Sequence, residues 1–141
     1  MIRLMQETDI TSVRALHLNQ FTQDFDIENY IEGHPFNYGI VFEDSNEVVG
    51  YLLAQTIFEN SDLFYITVSE VFKGRGLGSA LMTYYLEACH QQNVENLSLE
   101  VRVSNHAALS LYKKYGYQQV TIRKNYYADG EDAVLMVKGL G

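Results

Sequence analysis

A chain of 141 residues, 47% hydrophobic and 20% charged, has the balance of one soluble globular domain, large enough to bury a core without disulfide or metal staples. Eighteen acidic and ten basic residues leave a net charge of -8, with a pI near 4.8. That balance excludes general nucleic-acid binding and suits either a cationic substrate or plain solubility. The single cysteine, Cys89, excludes an internal disulfide and points to a reduced, cytoplasmic setting. The N-terminus has no apolar signal core, and no run reaches membrane-spanning length.

Ile2–Met5 reads as a short first strand. Thr8 or Asp9 then caps a helix whose apolar side is Ile10, Val13, Leu16 and Leu18, with Phe21 beyond. Asp26 caps a second short helix holding Ile27, Tyr30 and Ile31, which Gly33-His34-Pro35 ends. The aromatics Phe21, Phe25, Tyr30 and Phe36 gather here, to pack the two helices on a sheet or to line a substrate mouth, packing being preferred. Tyr38–Phe42 and Val48–Ala54 form a hairpin across Asp44-Ser45-Asn46. Glu59–Asp62 turns into a strand in which Phe64, Ile66 and Val68 alternate with Tyr65 and Thr67.

A glycine-rich turn follows, Lys73-Gly74-Arg75-Gly76-Leu77-Gly78-Ser79, and opens a helix through Leu81, Tyr84, Tyr85 and Ala88 to about Gln92. Glycines at every second position let the backbone turn tightly and approach a ligand. Unpaired N–H groups at such a helix start attract anions, and Lys73 and Arg75 add positive charge. Two readings stand, a pyrophosphate cradle and an ordinary glycine turn, and the loop alone does not separate them. A P-loop needs Gly-Lys-Ser/Thr, and Gly78-Ser79-Ala80 lacks the lysine. A dinucleotide fingerprint fits Gly74 and Gly76 but finds Ser79 at its third glycine; Glu100 stands where a ribose-binding acid would. Cys89, beside Ala88, reads as a buried structural thiol rather than a nucleophile.

Leu97–Val101 alternates as the next strand, and Ser104-Asn105 caps a helix over His106–Tyr115 that Gly116 ends. Tyr117–Ile122 and Ala133–Val137 are the last strands, separated by a turn at Asp129-Gly130. His17, His34, His90 and His106 are scattered without ligand spacing, so no metal is expected. Early and late hairpins with crossovers between them describe an α/β fold. The expectation is a single domain over residues 1–141, a mixed, mostly antiparallel twisted sheet of about seven strands flanked by about four helices.

The loop Lys73-Gly74-Arg75-Gly76-Leu77-Gly78 resembles the acetyl-CoA loop of the GNAT acetyltransferases, Gln/Arg-x-x-Gly-x-Gly/Ala, with lysine at the first place. The series Leu99-Glu100-Val101-Arg102, Ser104-Asn105, Leu111-Tyr112, Gly116-Tyr117, Asn125-Tyr126-Tyr127 and Glu131-Asp132-Ala133 resembles the ribosomal-protein-alanine N-acetyltransferase (RimI) branch of that family. Tyr117 replaces its usual phenylalanine, and the Pro-Trp pair often found near the end of the first helix is missing. The resemblance implies acetyl-CoA as co-substrate and no metal. It also implies direct transfer in a ternary complex to the N-terminal amine of a protein, a small-subunit ribosomal protein beginning with alanine. It makes Glu100 the general base and Tyr112 the proton donor to the leaving thiolate. It puts Asn105 on the pantetheine arm, Ile66 and Val68 alongside that arm as a pseudo-strand, and Lys73–Ser79 at the pyrophosphate.

The chemistry agrees with those residue types. The nucleophile must be a neutral amine, and an α-amine (pKa roughly 8) needs less help than a lysine (~10.4). A carboxylate accepts its proton directly or through one water. Plainer roles stay open. Glu100 pairs with Arg102 on a strand face, Tyr112 packs with Leu109 or Tyr115, and Asn105 caps its helix. Tyr126, Tyr127, Glu131 and Asp132 shape a peptide groove, or Glu131 and Asp132 are only a turn before an apolar strand. The rival functions are a GNAT enzyme for lysine or a small amine, and a non-catalytic acetyl-CoA-binding module. A monomer or homodimer without membrane or nucleic-acid partners completes the expectation.

Overall fold

The computed structural model describes residues 1–21 and 24–140. Its strands are β1 (Ile2–Leu4), β2 (Asn37–Asp44), β3 (Glu47–Ile57), β4 (Asn60–Val68), β5 (Asn96–Arg102), β6 (Gln118–Arg123) and β7 (Ala133–Gly139). They form one sheet in the order β1-β2-β3-β4-β5-β7-β6, in which only β4 and β5 run parallel. The α-helices are α1 (Ile10–Leu18), α2 (Leu77–Gln91) and α3 (His106–Lys114). Strands and helices together make one mixed α/β sheet.

Where local chemistry is strong, the elements follow it. Ser45 and Asn46 both take positive φ, which closes the β2–β3 hairpin with the sheet's own twist. Asn105 Oδ1 accepts from the Ala108 N–H at 3.1 Å and caps α3. Gly116, at φ +92, ends it.

Three expectations need correction. The second short helix is a single 3-10 turn, Ile27–Tyr30, so among the described residues three α-helices and short 3-10 turns flank the sheet. The turn packs on β2 so closely that a Cβ on Gly39 would come within 2.7 Å of the Tyr30 carbonyl. Second, the β3–β4 turn lies at Phe58-Glu59, and Asn60, Ser61 and Asp62 belong to the strand. Their polar groups are met, Asn60 by Asn96, Ser61 by Thr56 and Asp62 by Ser98 across the ladder, and Ser61 also by Tyr85 of α2, and this outweighs their turn propensity. Third, Asp9 precedes α1 without a side-chain bond to it; its carboxylate faces Arg3 and the Gln6 N–H instead.

Two cores sandwich the sheet. Leu81, Met82, Tyr85 and Cys89 of α2 and Tyr112 of α3 pack on Leu97, Leu99, Val101 and Met136. On the other face α1 and the 3-10 turn bury Val13 and Ile27 against Val41, Tyr51 and Leu53. Each fully buried leucine contributes roughly 1.5–3 kcal/mol.

Asp9 adds a pH-sensitive clasp. Arg3 donates to both its oxygens, at 2.7 and 2.9 Å, and Gln6 N–H at 2.8 Å. Burial pushes the Asp9 carboxyl up, but Arg3 and the Gln6 N–H outweigh it and hold the group below its ordinary value. A depressed folded pKa means the contribution is complete above about 4, the unfolded value, and disappears as pH falls through the folded one. Asp9→Asn is therefore expected to lower Tm at neutral pH by a few degrees, about 3 °C per kcal/mol lost. It should also shrink the further drop on acidification. An Asn variant whose Tm falls below pH 4 as steeply as the parent's would move the acid sensitivity elsewhere.

Candidate active site

Between β4 and α2 the chain makes one 3-10 turn, Glu70–Phe72, and then bends through Gly74 at φ +81 and Gly76 at φ +79. Gly76 is the N-cap of α2, and the first intrahelical bond is Ala80 N–H to its carbonyl at 3.0 Å. The N–H groups of Leu77, Gly78 and Ser79 consequently have no partner within the helix. A Cβ on Gly74 or Gly76 would meet nothing within 4 Å, so the backbone there borders open space. Gly78 differs. It is helical, and its Cβ would only touch Leu111 at an ordinary 3.6 Å, so two of the three glycines are dictated by conformation.

A cleft of about 320 Å³ runs from this loop along β4. Ile66, Val68, Lys73, Gly74, Gly76 and Asn105 line it, with Leu77 and Gly78. Arg75 and Ser79 are not among its lining residues. The Arg75 guanidinium stacks 4.9 Å from the Phe72 ring centre. Ser79 Oγ accepts from Lys114 Nζ at 3.2 Å, and its carbonyl accepts from the Tyr115 hydroxyl at 2.7 Å. Lys73 lines the cleft but pairs with Glu70 at 2.9 Å. Lys114, the last residue of α3 and far from the glycines in the chain, thus reaches the loop through tertiary contact alone.

The cleft opens because two parallel strands part. The β4–β5 pairing ends at Leu63 opposite Leu99. A bulge at Phe64 sets Leu53 opposite Tyr65 but Ala54 opposite Leu63, so Phe64 leaves the face it was expected to share with Ile66 and Val68. Beyond the bulge, β4 pairs with β3 but not with β5. The Val68 carbonyl turns to the cleft and accepts from Gln20 Nε2 at 3.2 Å. A carboxamide N–H on this strand edge is the donor type a pantetheine amide presents, and the loop N–H groups suit a pyrophosphate. The residues therefore fit acetyl-CoA.

Glu100 stands on the other branch of the opening. With Phe25, Tyr30, Tyr65, Tyr126 and Tyr127 it lines a second cleft of about 360 Å³. Its Oε2 is buried without a hydrogen bond among the described residues and lies 3.4 Å from Arg123 Nε. The pairing with Arg102 expected as its plainer role does not form. Arg102 donates instead to Asp129 and Glu131, each at 2.8 Å, and lies 4.1 Å from the Tyr127 ring centre. Glu131 also accepts from the Ser104 N–H at 3.0 Å. Asp132 accepts from the Asn125 N–H at 2.9 Å and faces Lys124 at 3.7 Å. Tyr126 and Tyr127 line the cleft, whereas Glu131 and Asp132 make these loop contacts and are not among its lining residues. Burial raises Tyr127 to about 12 against the opposing pull of Arg102.

A third cleft, about 660 Å³, joins the other two. It shares Gln20 and Asn105 with the first, and Tyr65 and Tyr127 with the second. Tyr112 lines none of the three clefts; it is buried in the core, 7% exposed, its ring 5.9 Å from that of Tyr117, in the cluster on which Leu109 and Tyr115 also pack. Burial pushes its phenol far above the ordinary value, so it keeps its proton at neutral pH. Sequence reasoning missed Gln20 and Lys114, since neither carries a periodic or motif signal. Among the described residues no group of three or more His, Cys, Asp or Glu side chains is placed to hold a metal ion, and no helix is long and apolar enough to cross a membrane.

A glycine loop opening a helix, beside two splayed parallel strands, defines an acyl-carrier site on an α/β sheet. The acetyltransferase (GNAT) family pattern matches residues 6–117, and the chain belongs to that family of acyltransferases. It is 34% identical over 139 residues to a protein of Bacillus subtilis (strain 168) provisionally named a ribosomal protein bS18-alanine N-acetyltransferase, covering 96% of this chain and 92% of that one. It is also 34% identical over 155 residues to an N-alpha-acetyltransferase of Sulfolobus acidocaldarius, covering 99% of this chain and 92% of the relative. The crystal structure of the ribosomal-protein-S18-alanine N-acetyltransferase from Escherichia coli superimposes with a TM-score of 0.89 at 27% identity, over 100% of this chain and 94% of that one.

Proposed function

We propose that this protein transfers acetyl from acetyl-CoA to the N-terminal α-amine of a protein that begins with alanine, a small-subunit ribosomal protein, in the cytoplasm. The observation that carries the reading is the joined run of clefts. It brings the Glu100 carboxylate and the glycine loop to the one opening between β4 and β5. The names of the bacterial and archaeal relatives support the α-amine as acceptor.

When bound, acetyl-CoA supplies an activated acyl thioester. Leu77, Gly78 and Ser79 N–H groups would hold its pyrophosphate, with Lys73 freed from Glu70 adding charge. Ile66, Val68 and Asn105 would hold the pantetheine arm, Asn105 through its Nδ2, since its Oδ1 already caps α3. A backbone N–H near Val68 would meet the negative charge that grows on the carbonyl oxygen. Glu100 would take the proton of the α-ammonium, and Tyr112 would give one to the departing sulfur. Cys89 is buried and its thiol is pushed up by that burial, which supports direct transfer over an acyl-enzyme.

The test is mass spectrometry of three acceptors incubated with protein and acetyl-CoA: an Ala-initiated basic peptide, its N-terminally blocked form with free lysines, and a polyamine. Acetyl on the α-amine alone is expected. Acetyl on lysine or polyamine would discard the N-terminal reading, and binding of acetyl-CoA without transfer would favour a non-catalytic module. The loop is tested separately. Gly76→Ala puts a side chain at φ +79, which costs alanine roughly 1 kcal/mol or more. Its methyl group would also face the open cradle. The acetyl-CoA Kd is expected to rise about tenfold with kcat at saturation little changed; an unaltered Kd, read by calorimetry, would detach the loop from cofactor binding.

A further inference from the structure

His17 is fully buried near the C-terminal end of α1, and neither acetyl transfer nor a metal accounts for it. Its Nδ1 and the Tyr51 hydroxyl share a hydrogen bond of 2.7 Å. Around the ring stand three aromatics: Phe21 stacked at 4.8 Å, Phe25 edge-on at 4.5 Å and Tyr65 edge-on at 4.8 Å between centres. Those three are walls of the clefts. Phe25 and Tyr65 line the Glu100 cleft, and Phe21 and Tyr65 line the joining cleft. Phe25 and Tyr65 also stack on each other at 5.4 Å.

An apolar side chain of similar size would fill this volume without the cost of burying an imidazole. A hydrogen-bonded buried ring differs from such a residue in one respect, a fixed plane. Edge-to-face and stacked contacts depend on that plane, so fixing His17 fixes the rings around it. We infer that His17 is a positioning residue for acceptor selectivity: anchored by Tyr51, it holds Phe25 and Tyr65 as a rigid wall of the cleft beside Glu100, against which the acceptor's first side chain would lie. This rests on the α-amine reading above. A rigid wall matters because a soft one repacks around larger side chains, and exclusion then falls to the small penalty of a methylene or two.

The test compares His17→Leu and Tyr51→Phe with the parent protein on two peptides that differ only in starting with Ala or Leu. The readouts are the ratio of kcat/KM for the two peptides, the acetyl-CoA Kd and Tm. The parent is expected to favour Ala by roughly a hundredfold, and His17→Leu to cut that ratio about tenfold with Kd unchanged. Tyr51→Phe keeps its ring and loses only the anchoring hydroxyl, so it should move the ratio in the same direction by less. It also decides the matter if His17→Leu does not fold. The ratio is insensitive to the folded fraction. A lowered Tm with the parent's ratio in both variants would make His17 a core residue and overturn the inference, while leaving the acetyltransferase reading intact. Failure of the parent to acetylate either α-amine would overturn both.

Discussion

Glu100→Gln is expected to lower kcat by roughly two to three orders of magnitude while leaving the acetyl-CoA Kd unchanged. The two effects separate because Glu100 lines the aromatic cleft and not the cleft of the glycine loop. Glutamine keeps the shape and removes the proton acceptor, so the variant can use only acceptor already neutral in solution. Its rate should then climb with pH through about 8, the titration of an α-amine, where the parent is already fast at lower pH. Arg123 is the control. It lies 3.4 Å from the inner carboxylate oxygen without an aligned hydrogen bond and is half exposed, so Arg123→Gln should cost far less. Stopped-flow or continuous thiol-release assays across pH distinguish the cases. An unchanged rate in Glu100→Gln would remove this residue from proton transfer and leave Tyr126 and Tyr127 to be examined with a bound water.

Much of the cofactor side was legible from residue order because its determinants are local. Gly74 and Gly76 are needed for positive φ within a few residues, and Asn105 caps the helix three residues on. Alternation marked β5 and put Glu100 on the face opposite Leu99 and Val101. What was not legible depends on pairing between distant segments. The Phe64 bulge is set by register against β3, and a one-residue insertion leaves no mark on hydropathy. Asn60, Ser61 and Asp62 look like a turn until Asn96, Tyr85 and Ser98 arrive from elsewhere to satisfy them. Glu131 and Asp132 read equally as groove acids or as a turn, and only the fold shows Arg102, Ser104 and Asn125 on their oxygens. The aromatics Phe21, Phe25 and Tyr30 follow the preferred packing reading. They pack around α1, and Phe25 and Tyr30 also line the Glu100 cleft.

Tyr112→Phe carries the second large effect, and its size follows from the leaving group. A thiol has a pKa near 8.5, so a departing thiolate is tolerably stable near neutrality and needs less help than an alkoxide. The expected loss in kcat is therefore about tenfold to thirtyfold, smaller than for Glu100, with the acetyl-CoA Kd unchanged. Burial makes Tyr112 suited to the task, because its phenol stays protonated and available as a donor well above neutral pH. Burial also makes it a core residue, with its ring against Tyr117, so the proposed donor role and the packing role differ only at the oxygen. Phenylalanine keeps the ring and the packing, and Tm should move by no more than a few degrees. The pH dependence tells donor from filler. As pH rises past the thiol's own pKa the unassisted thiolate leaves freely, so a lost donor should matter less and the deficit should narrow. A deficit constant with pH and matched by a fall in Tm would assign Tyr112 to packing, and the proton for the sulfur would then have to come from water in the joining cleft.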